Sequence, residues 1–309
     1  MHLGVILPNF GAASKPSEIR RTAESAEELG LDSVWATEHI IVGPEAVDAY
    51  GRVYAPLVTL GWIAGFTERV ALGTSVVLAP LHHPIHLAKE AATLQELSGG
   101  RVRLGVGMGW HEDEFRFMGV PFRGRGRRGD EMIRVLRALW RGERSFRGTH
   151  WSFEDATFEP LPEPAPEIWV GGSSERAIRR ALELGAVWHP TRRSDAQHVR
   201  RVKEEHPELR VVPRTRPELV DGFLEAGAEG VVVTLEDESA MREFVGATGS
   251  APSLWKLLPR PALEDLPGEP PEQRVSPLQH ARCFPSLRAR KLRVVLTSPS
   301  GSDKLALSR

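Results

Sequence analysis

Cysteine, tyrosine and long apolar runs are scarce in this chain of 309 residues. Its one cysteine, Cys283, excludes an internal disulfide framework and makes a cysteine-based metal site unexpected. No apolar run approaches the roughly 18 residues of a membrane span, and residues 1–11 are interrupted too quickly for a signal peptide. The formal net charge of -1 gives no global attraction to nucleic acid or membrane surfaces. We therefore expect a cytoplasmic protein that binds neither nucleic acid nor membranes.

Several common catalytic motifs are absent as well. The chain has no GxSxG nucleophile elbow, no Walker phosphate loop and no GxGxxG fingerprint after its first predicted strand. Gly105, Gly107 and Gly109 stand at alternate positions, which is not the spacing of a dinucleotide-binding loop. These absences argue against a Rossmann enzyme.

The stretch from Leu87 to Trp110 is the most informative part of the sequence. Apolar residues recur near helical spacing up to Leu97, and Gly99-Gly100 then ends the helix, because glycine tolerates the left-handed backbone of a helix cap. Residues 102–106 alternate as in a strand, and the glycines at 105, 107 and 109 remove side chains where this strand emerges. Glycines in that position let a second backbone or a flat ligand approach closely.

Short apolar runs alternate with amphipathic helical patterns over most of the chain, which favours an α/β (β/α)₈ TIM barrel over a doubly wound sheet. We assign residues 1–250 to this barrel, with a small hairpin inserted at Arg147–Phe158. The predicted strands are Leu3–Leu7, Ser33–Ala36, Val70–Leu78, Val102–Val106, Ile168–Val170, Ala186–Trp188, Leu209–Val212 and Gly230–Leu235. The predicted helices are Pro16–Leu29, Pro56–Phe66, Pro84–Leu97, Arg128–Trp140, Ser174–Leu184, Ala196–Glu205, Pro217–Ala226 and Glu238–Val245.

The pattern changes at residues 251–309, which hold nine of the 24 prolines and ten Lys/Arg against five Asp/Glu. Proline-rich sequence without periodicity buries too little apolar surface to offset its ordering entropy. We expect a Pro/Arg-rich disordered tail, with a partner-binding arm as the alternative.

Candidate site residues follow the predicted strands, because a barrel of this kind carries its site at the carboxyl ends of the strands. Gly171-Gly172-Ser173-Ser174 leads from a strand into a helix, which suits a phosphate, although a plain turn with a serine cap has the same sequence. Glu38-His39 directly follows the second strand, so one side chain should face the site and its neighbour brace it. A hydrogen-bonded structural histidine is the alternative.

Three other groups of residues have simpler interpretations. His82, His83 and His86 resemble a metal cluster but lie beside Pro84 without a carboxylate at ligand spacing, so a turn is expected and no metal. Residues 112–114 are predicted as the acidic first turn of a short helix. Arg123–Arg128 is predicted as a solvated loop that could bind an anionic tail.

Together these segments resemble the luciferase-like monooxygenase superfamily, in particular its branch that uses the deazaflavin coenzyme F-420. The matching stretches are GVILPNFG, VWATEHI, LGTSVVLAPLHHPIHLAKEAATLQELSGGRVRLGVGMGW, RGRRGDEMIRVLRALWRG, WSFEDATFEPLP, PEIWVGGSSERAIRRALELGAVWHP and AGAEGVVV. They cover roughly residues 1–190, with weaker similarity to about residue 247. The segment Thr191–Arg216 is shorter than is usual in this family, and the closing helix fades after Val245.

The resemblance implies a barrel that holds a flavin or deazaflavin at the strand ends and binds a small-molecule substrate, often as a homodimer. His39 would lie near the cofactor ring as proton donor, with Glu38 tuning it, and a non-prolyl cis peptide would fall at Ser75-Val76. The residues implied to border the ring are Gly107, Gly109 and Trp110, and those implied to hold the phosphate are Gly171, Gly172, Ser173 and Ser174.

Three hypotheses about function remain open. The first is an oxidoreductase that transfers a hydride between coenzyme F-420 and a small organic substrate. The second is an FMN-dependent monooxygenase that uses oxygen on the same barrel. The feature that distinguishes them is the polyglutamate tail of F-420, which would favour basic residues at the rim such as Arg125, Arg127 and Arg128. The third is a catalytically inactive ligand-binding barrel, which the unusual C-terminal third suggests.

Overall fold

The computed structural model describes residues 1–12, 14–191, 194–235 and 237–247. The predicted tail at 251–309 lies outside them. The strands are β1 His2–Ile6, β2 Ser33–Ala36, β3 Ala71–Thr74, β4 Val77–Leu78, β5 Val102–Gly107, β6 Phe146–Arg147, β7 Ser152–Phe153, β8 Glu167–Gly171, β9 Val187–His189, β10 Arg214–Thr215 and β11 Gly230–Val233. The helices are α1 Pro16–Glu28, α2 Val47–Tyr50, α3 Pro56–Ala64, α4 Pro84–Leu97, α5 Glu112–Phe117, α6 Arg125–Trp140, α7 Glu175–Leu184, α8 Ala196–Glu205, α9 Val220–Glu225 and α10 Glu238–Ala247.

The main sheet is parallel and runs β10-β11-β1-β2-β3-β5-β8-β9, with β4 also pairing with β5. The segment before β10 joins the two ends of this sheet. The Trp188 N–H donates to the Arg210 carbonyl at 2.8 Å, and the Val212 N–H donates to the Trp188 carbonyl at 3.0 Å. On its other side β10 pairs with β11. The predicted eight-stranded barrel is therefore confirmed, and the short segment between β9 and β11 is long enough to close it.

The strand sequences explain which side chains fill the barrel and which meet the helices. Successive side chains of a strand point to opposite faces. In β2, Val34 and Ala36 pack in the layer between the strands and α1 and α3, whereas Trp35 points inward. The indole of Trp35 lies 4.5 Å from that of Trp169 and 5.1 Å from the His189 ring, measured between ring centroids. These buried rings form a floor that supports the residues at the strand ends.

Two predicted strands differ from the observed ones. The predicted strand Val70–Leu78 is divided into β3 and β4 by the Ser75-Val76 peptide, which is cis. The seventh strand is displaced from Leu209–Val212 to Arg214–Thr215. Pro213 lies between them and has no N–H to give to a neighbouring strand, so the residues before it form only the bridge at Val211.

The predicted hairpin is confirmed as β6 and β7, which lie between α6 and β8. Its turn is attached to the barrel by the buried Glu131 carboxylate of α6, which accepts the N–H groups of Thr149, His150 and Trp151 at 2.7–3.0 Å. Burial raises the pKa of this carboxyl, but the three backbone hydrogen bonds outweigh burial and leave the pKa lowered.

In the described residues, no helix combines the length and apolarity that crossing a bilayer requires.

Candidate active site

A cavity of about 690 Å³ opens at the carboxyl ends of the barrel strands. All of the site residues predicted from the sequence line it, although they come from four separate strand ends: Glu38, His39, Ser75, Val76, Gly107, Gly109, Trp110, Gly171, Gly172, Ser173 and Ser174. The cavity is also lined by residues that the sequence did not single out for it, and the most informative of these are Tyr50, Arg180 and Arg214.

Glycines on the neighbouring strands make room for the break between β3 and β4. A Cβ atom on Gly105 would stand 1.9 Å from the Thr74 carbonyl oxygen, and one on Gly107 would stand 2.4 Å from a methyl group of Val76. Gly171, at the end of the adjoining strand β8, would meet the other Val76 methyl group at 2.7 Å. The predicted close approach of a second backbone to this strand is confirmed, and the Val76 side chain is enclosed by these glycines at the cavity wall.

Ser75 lines the cavity, and the fully buried His189 lies beneath it. The Nδ1 atom of His189 lies 2.6 Å from the Val212 carbonyl, which can only accept, so Nδ1 carries the proton and Nε2 accepts from the Ser75 hydroxyl at 2.9 Å. Burial lowers the pKa of His189 to about 4. Arg214 donates from Nη1 to the Thr37 hydroxyl and to the Ser75 carbonyl, each at 3.0 Å. Ser75 is thus held at both its side chain and its backbone.

His39 is paired with Glu114, which the sequence analysis placed in a helix turn without a role in the site. Nδ1 of His39 donates to Glu114 Oε2 at 2.8 Å, and both side chains are buried. Glu114 Oε1 also accepts the Ile40 N–H at 2.6 Å, so one carboxylate holds both the ring and the adjoining loop. The other ring nitrogen, Nε2, forms no hydrogen bond within the described part of the chain. An imidazole with one nitrogen fixed by a carboxylate and the other free can give or take a proton at the free atom.

The prediction was that Glu38 tunes His39. The carboxylate that orients His39 is instead that of Glu114. Consecutive side chains of an extended segment diverge, and Glu38 turns to the other side. Its Oε2 atom accepts the Leu78 N–H at 2.6 Å and the His82 Nε2–H at 2.9 Å. Burial lowers the pKa of His82, but the hydrogen bond to Glu38 and the negative charges of Glu38 and Glu90 together outweigh burial and leave that pKa raised. Glu38 thus holds the backbone of Leu78, the last residue of β4, and the turn that precedes α4.

His82 is used in this ion pair, and the rings of His83 and His86 only contact each other, at 5.8 Å. Among the residues described by the structure, no three His, Cys, Asp or Glu side chains are placed to hold a metal ion.

Aromatic rings form the cavity wall around His39. The Tyr50 ring lies 4.2 Å from the His39 ring, and the Trp110 ring lies 5.8 Å away at 78°, measured between centroids and planes. Tyr50 is brought there by α2. The loop that precedes α2 is fixed to the loop before α5, because the Gly43 N–H donates to His111 Nε2 at 2.9 Å. Spacing in the sequence could not place Tyr50 in the site, because the residues that Tyr50 contacts lie on other loops and not on its own helix.

The opposite end of the cavity is built from the turn between β8 and α7. Gly172 adopts a φ of +108°, which favours glycine, and the Ser174 hydroxyl caps the helix by accepting the Ala177 N–H at 3.3 Å. The predicted serine cap is therefore present, but it uses only Ser174. The Ser173 hydroxyl oxygen is shielded from solvent and has no hydrogen-bond partner among the described residues. We refer to residues 171–174 with the first turn of α7 as the anion end of the cavity.

Two arginines stand beside the anion end. Arg180, one turn further along α7, is buried and paired with Asp130. Arg125 donates from Nε to the Gly109 carbonyl at 3.0 Å, and its guanidinium lies over the Phe122 ring. Residues 125–128, predicted as part of a loop, form instead the first turn of α6, which starts three residues earlier than expected. The start of this helix directs Arg125 toward the cavity.

Comparisons with known proteins agree with this architecture. Residues 1–220 match the model of the luciferase-like monooxygenase family. The oxygenase component of a flavin-dependent trigonelline monooxygenase from Acinetobacter baylyi is 31% identical over 172 residues, which cover 54% of this chain and 46% of that protein. An F-420-dependent glucose-6-phosphate dehydrogenase from Microbacterium testaceum is 33% identical over 225 residues, covering 69% of this chain and 60% of the relative. The chain thus spans only about half the length of these curated relatives.

A solved structure of an F-420-dependent secondary alcohol dehydrogenase, in complex with an F-420-acetone adduct, superposes with a TM-score of 0.68. The superposition covers 81% of this chain and 98% of that chain at 15% sequence identity, so it supports the barrel fold alone. Since the family model spans well over half of the sequence, the chain belongs to the luciferase-like monooxygenase family.

Proposed function

We propose that this protein is an oxidoreductase that transfers a hydride between coenzyme F-420 and a small organic substrate. The observation that supports this most strongly is the arrangement of the cavity, which has an anion end at one side and the His39–Glu114 pair at the other. A phosphate-bearing ring cofactor and a proton-transferring histidine could therefore act in one space. The sequence similarity to an F-420-dependent dehydrogenase supports the same assignment.

The residues at the anion end fit the phosphate of such a cofactor. The unpartnered Ser173 hydroxyl is available to donate, and backbone N–H groups in the first turn of α7 lie at the positive end of the helix dipole. Gly172 keeps a side chain out of this turn. In our proposal Gly171, Gly172, Ser173 and Ser174 hold the phosphate, while Ser75, Val76, Gly107, Gly109 and Trp110 border the ring.

When bound, the deazaflavin supplies the ring carbon that accepts or donates the hydride. In the proposed mechanism His39 handles the accompanying proton at Nε2. During oxidation of an alcohol, Nε2 takes the hydroxyl proton, and during reduction of a carbonyl it returns one. Glu114 keeps the other proton on Nδ1 and stabilises the imidazolium while it exists, as a buried carboxylate does for a catalytic histidine in other enzymes. Tyr50 and Trp110 restrict the access of water to that atom.

A group of arginines outside the anion end favours F-420 over FMN. A second cavity of about 380 Å³ shares Arg180 with the main cavity and is also lined by Arg127 and Arg134. Its carboxylates are Asp130, which is paired with Arg180, Glu131, whose oxygens bind the hairpin turn, and Glu183. F-420 ends in a polyglutamate tail, and two exposed arginines beside the phosphate position suit such a tail, which FMN lacks.

An FMN-dependent monooxygenase is the second candidate function. It is favoured by the similarity to the flavin-dependent trigonelline monooxygenase, which matches this chain about as well as the F-420-dependent relative does. The phosphate and ring positions proposed above would serve FMN equally, so the two candidates differ in the tail and in the need for oxygen.

The proposed enzyme acts in the cytoplasm as a homodimer, as the sequence analysis expected. A single cysteine suits a reducing compartment, where disulfides do not persist. Sedimentation of the purified protein at micromolar concentration measures its mass directly, and a value corresponding to one chain would remove the dimer from the proposal.

Removal of the phosphate from the cofactor tests the anion end. We expect wild-type protein to bind F-420 at least tenfold more tightly than the deazaflavin that lacks phosphate and tail, because charge-assisted hydrogen bonds contribute about 1.5–3 kcal/mol each. Ser173→Ala should reduce this preference, while Ser194→Ala, a change on the loop before α8, should not. Equal binding of the two deazaflavins by wild-type protein would contradict the assignment of residues 171–174.

A further inference from the structure

The cavity wall beside His39 offers broad aromatic surface to a substrate. Tyr50 and Trp110 flank His39 at ring distances of 4.2 and 5.8 Å, and 49% of the Trp110 surface is exposed. Phe10 stacks against Tyr50 at 5.7 Å, with 25° between the ring planes. Aromatic rings of this kind bury large apolar area and favour flat or apolar partners.

The chain segments next to this wall expose aliphatic side chains. Ile40 and Ile41 follow His39 directly and are 43% and 48% exposed, and Val47, at the start of the helix that carries Tyr50, is 51% exposed. The backbone beneath the two isoleucines is held in place, because the N–H groups of both point at Glu114 Oε1, at 2.6 and 3.4 Å. A group of exposed apolar residues beside a cavity is typical of a ligand-binding surface.

The cationic side chains that line the cavity are already engaged by other groups of the chain. Among the described residues that line the cavity, the arginines are Arg125, Arg180 and Arg214, and their guanidinium groups already contact Gly109, Asp130, and Thr37 with Ser75 respectively. Arg125 and Arg180 stand beside the anion end, and the buried Arg214 guanidinium lies over the Phe10 ring, 5.6 Å from its centroid. A phosphorylated substrate placed against Tyr50 and Trp110 would lose hydration of its charge without a new cationic partner, which is costly.

We propose that this wall binds an uncharged substrate with an apolar or aromatic body and one carbonyl or hydroxyl group, and not a sugar phosphate. His39 Nε2 is the polar atom that would meet the carbonyl or hydroxyl oxygen, and the body would lie against Tyr50 and Trp110. This substrate class rests on the proposed function, since it places the reacting carbon of the substrate beside His39. It differs from the substrate in the name of the F-420-dependent relative that matches this chain.

The test is a titration of the F-420-loaded protein, followed by cofactor and tryptophan fluorescence. The probes are acetophenone, cyclohexanone and 2-decanone, with glucose 6-phosphate as the charged comparison. We expect at least one ketone to saturate the protein and glucose 6-phosphate not to. Trp110→Ala should weaken ketone binding about tenfold, the effect expected for loss of one aromatic contact surface. Trp62→Ala is the matched control, because Trp62 is similarly exposed but does not line the cavity.

Saturation by glucose 6-phosphate, failure of all three ketones, or equal loss of ketone binding in Trp110→Ala and Trp62→Ala would each overturn the inference. The same titration without cofactor separates this inference from the proposed function, because the wall consists of the chain's own side chains. Ketone binding by protein that does not bind F-420 would support the apolar site and contradict the F-420 assignment. F-420 binding without ketone binding would support the F-420 assignment and contradict the apolar site.

Discussion

Mild acid should destabilise this protein through His189, which lies beneath the cavity. The neutral ring accepts the Ser75 hydroxyl at Nε2 and donates from Nδ1 to the Val212 carbonyl. Protonation of Nε2 would remove the acceptor and place a charge in a fully buried position. Burial lowers the pKa of His189 in the folded protein to about 4, from the usual 6.5. Between these two pH values the unfolded chain binds the proton more strongly, so folding stability falls as the pH decreases from 6.5 toward 4.

The difference in pKa fixes the size of this effect. Integration of proton binding from pH 7 to pH 5 with pKa values of 6.5 and about 4 gives a loss of about 2 kcal/mol in the free energy of unfolding. Carboxylates and other histidines also titrate in this range, so the contribution of His189 has to be taken from a comparison of variants.

Urea unfolding of wild type, His189→Asn and His86→Asn at pH 7 and pH 5 provides that comparison. The amide of an asparagine at position 189 can still donate to Val212 but does not titrate. His189→Asn should be less stable than wild type at pH 7, yet should lose about 2 kcal/mol less between pH 7 and pH 5. His86→Asn, a change at an exposed histidine, should retain the wild-type pH dependence. If His189→Asn and wild type lost the same stability over this range, the account of His189 would be wrong.

Three further changes test the contacts around the cavity. Glu114→Gln should shift the ring proton of His39 from Nδ1 to Nε2, because the Ile40 N–H keeps the amide oxygen and the amide nitrogen that then faces Nδ1 can only donate. Nitrogen NMR of the ring measures the tautomer, and an unchanged tautomer would contradict the pairing. Gly107→Ala should destabilise the protein by roughly 1–3 kcal/mol through the Val76 methyl group, whereas Gly61→Ala, which meets open space in α3, should be neutral or stabilising. Glu131→Gln should lower the free energy of unfolding by about 1–3 kcal/mol and speed proteolysis of the hairpin turn; equal proteolysis rates would exclude the proposed attachment.

Local patterns were sufficient to predict the barrel and the set of residues at its strand ends. Glycine at positions 105, 107 and 109 indicated close approach, and the structure shows what approaches them: the Thr74 carbonyl, a Val76 methyl group and the Phe115 ring respectively. The alternation of strands and helices then placed these positions on one face, because parallel strands end at the same edge of a barrel.

The partners of those residues could not be predicted in the same way. Glu114 lies 75 residues from His39, and Arg214 lies 177 residues from Thr37, so neither contact leaves a local signal. Glu38 was the nearer carboxylate in sequence and was wrongly assigned to His39, since adjacency in an extended segment separates side chains rather than joining them. The one available signal for Glu114 was its place in a short helix directly after a strand end. Tertiary contacts decide whether the Glu114 side chain points into the site.

Parallel fluorescence titrations with F-420 and FMN test most directly whether the cavity holds a deazaflavin. The account predicts saturable binding of F-420 at micromolar concentration and at least tenfold weaker binding of FMN, with the difference reduced in Arg127→Ala because the tail loses a cationic partner. Tighter binding of FMN would contradict the deazaflavin assignment and favour the monooxygenase. Failure of a folded protein to bind either cofactor would contradict both and leave the inactive ligand-binding barrel.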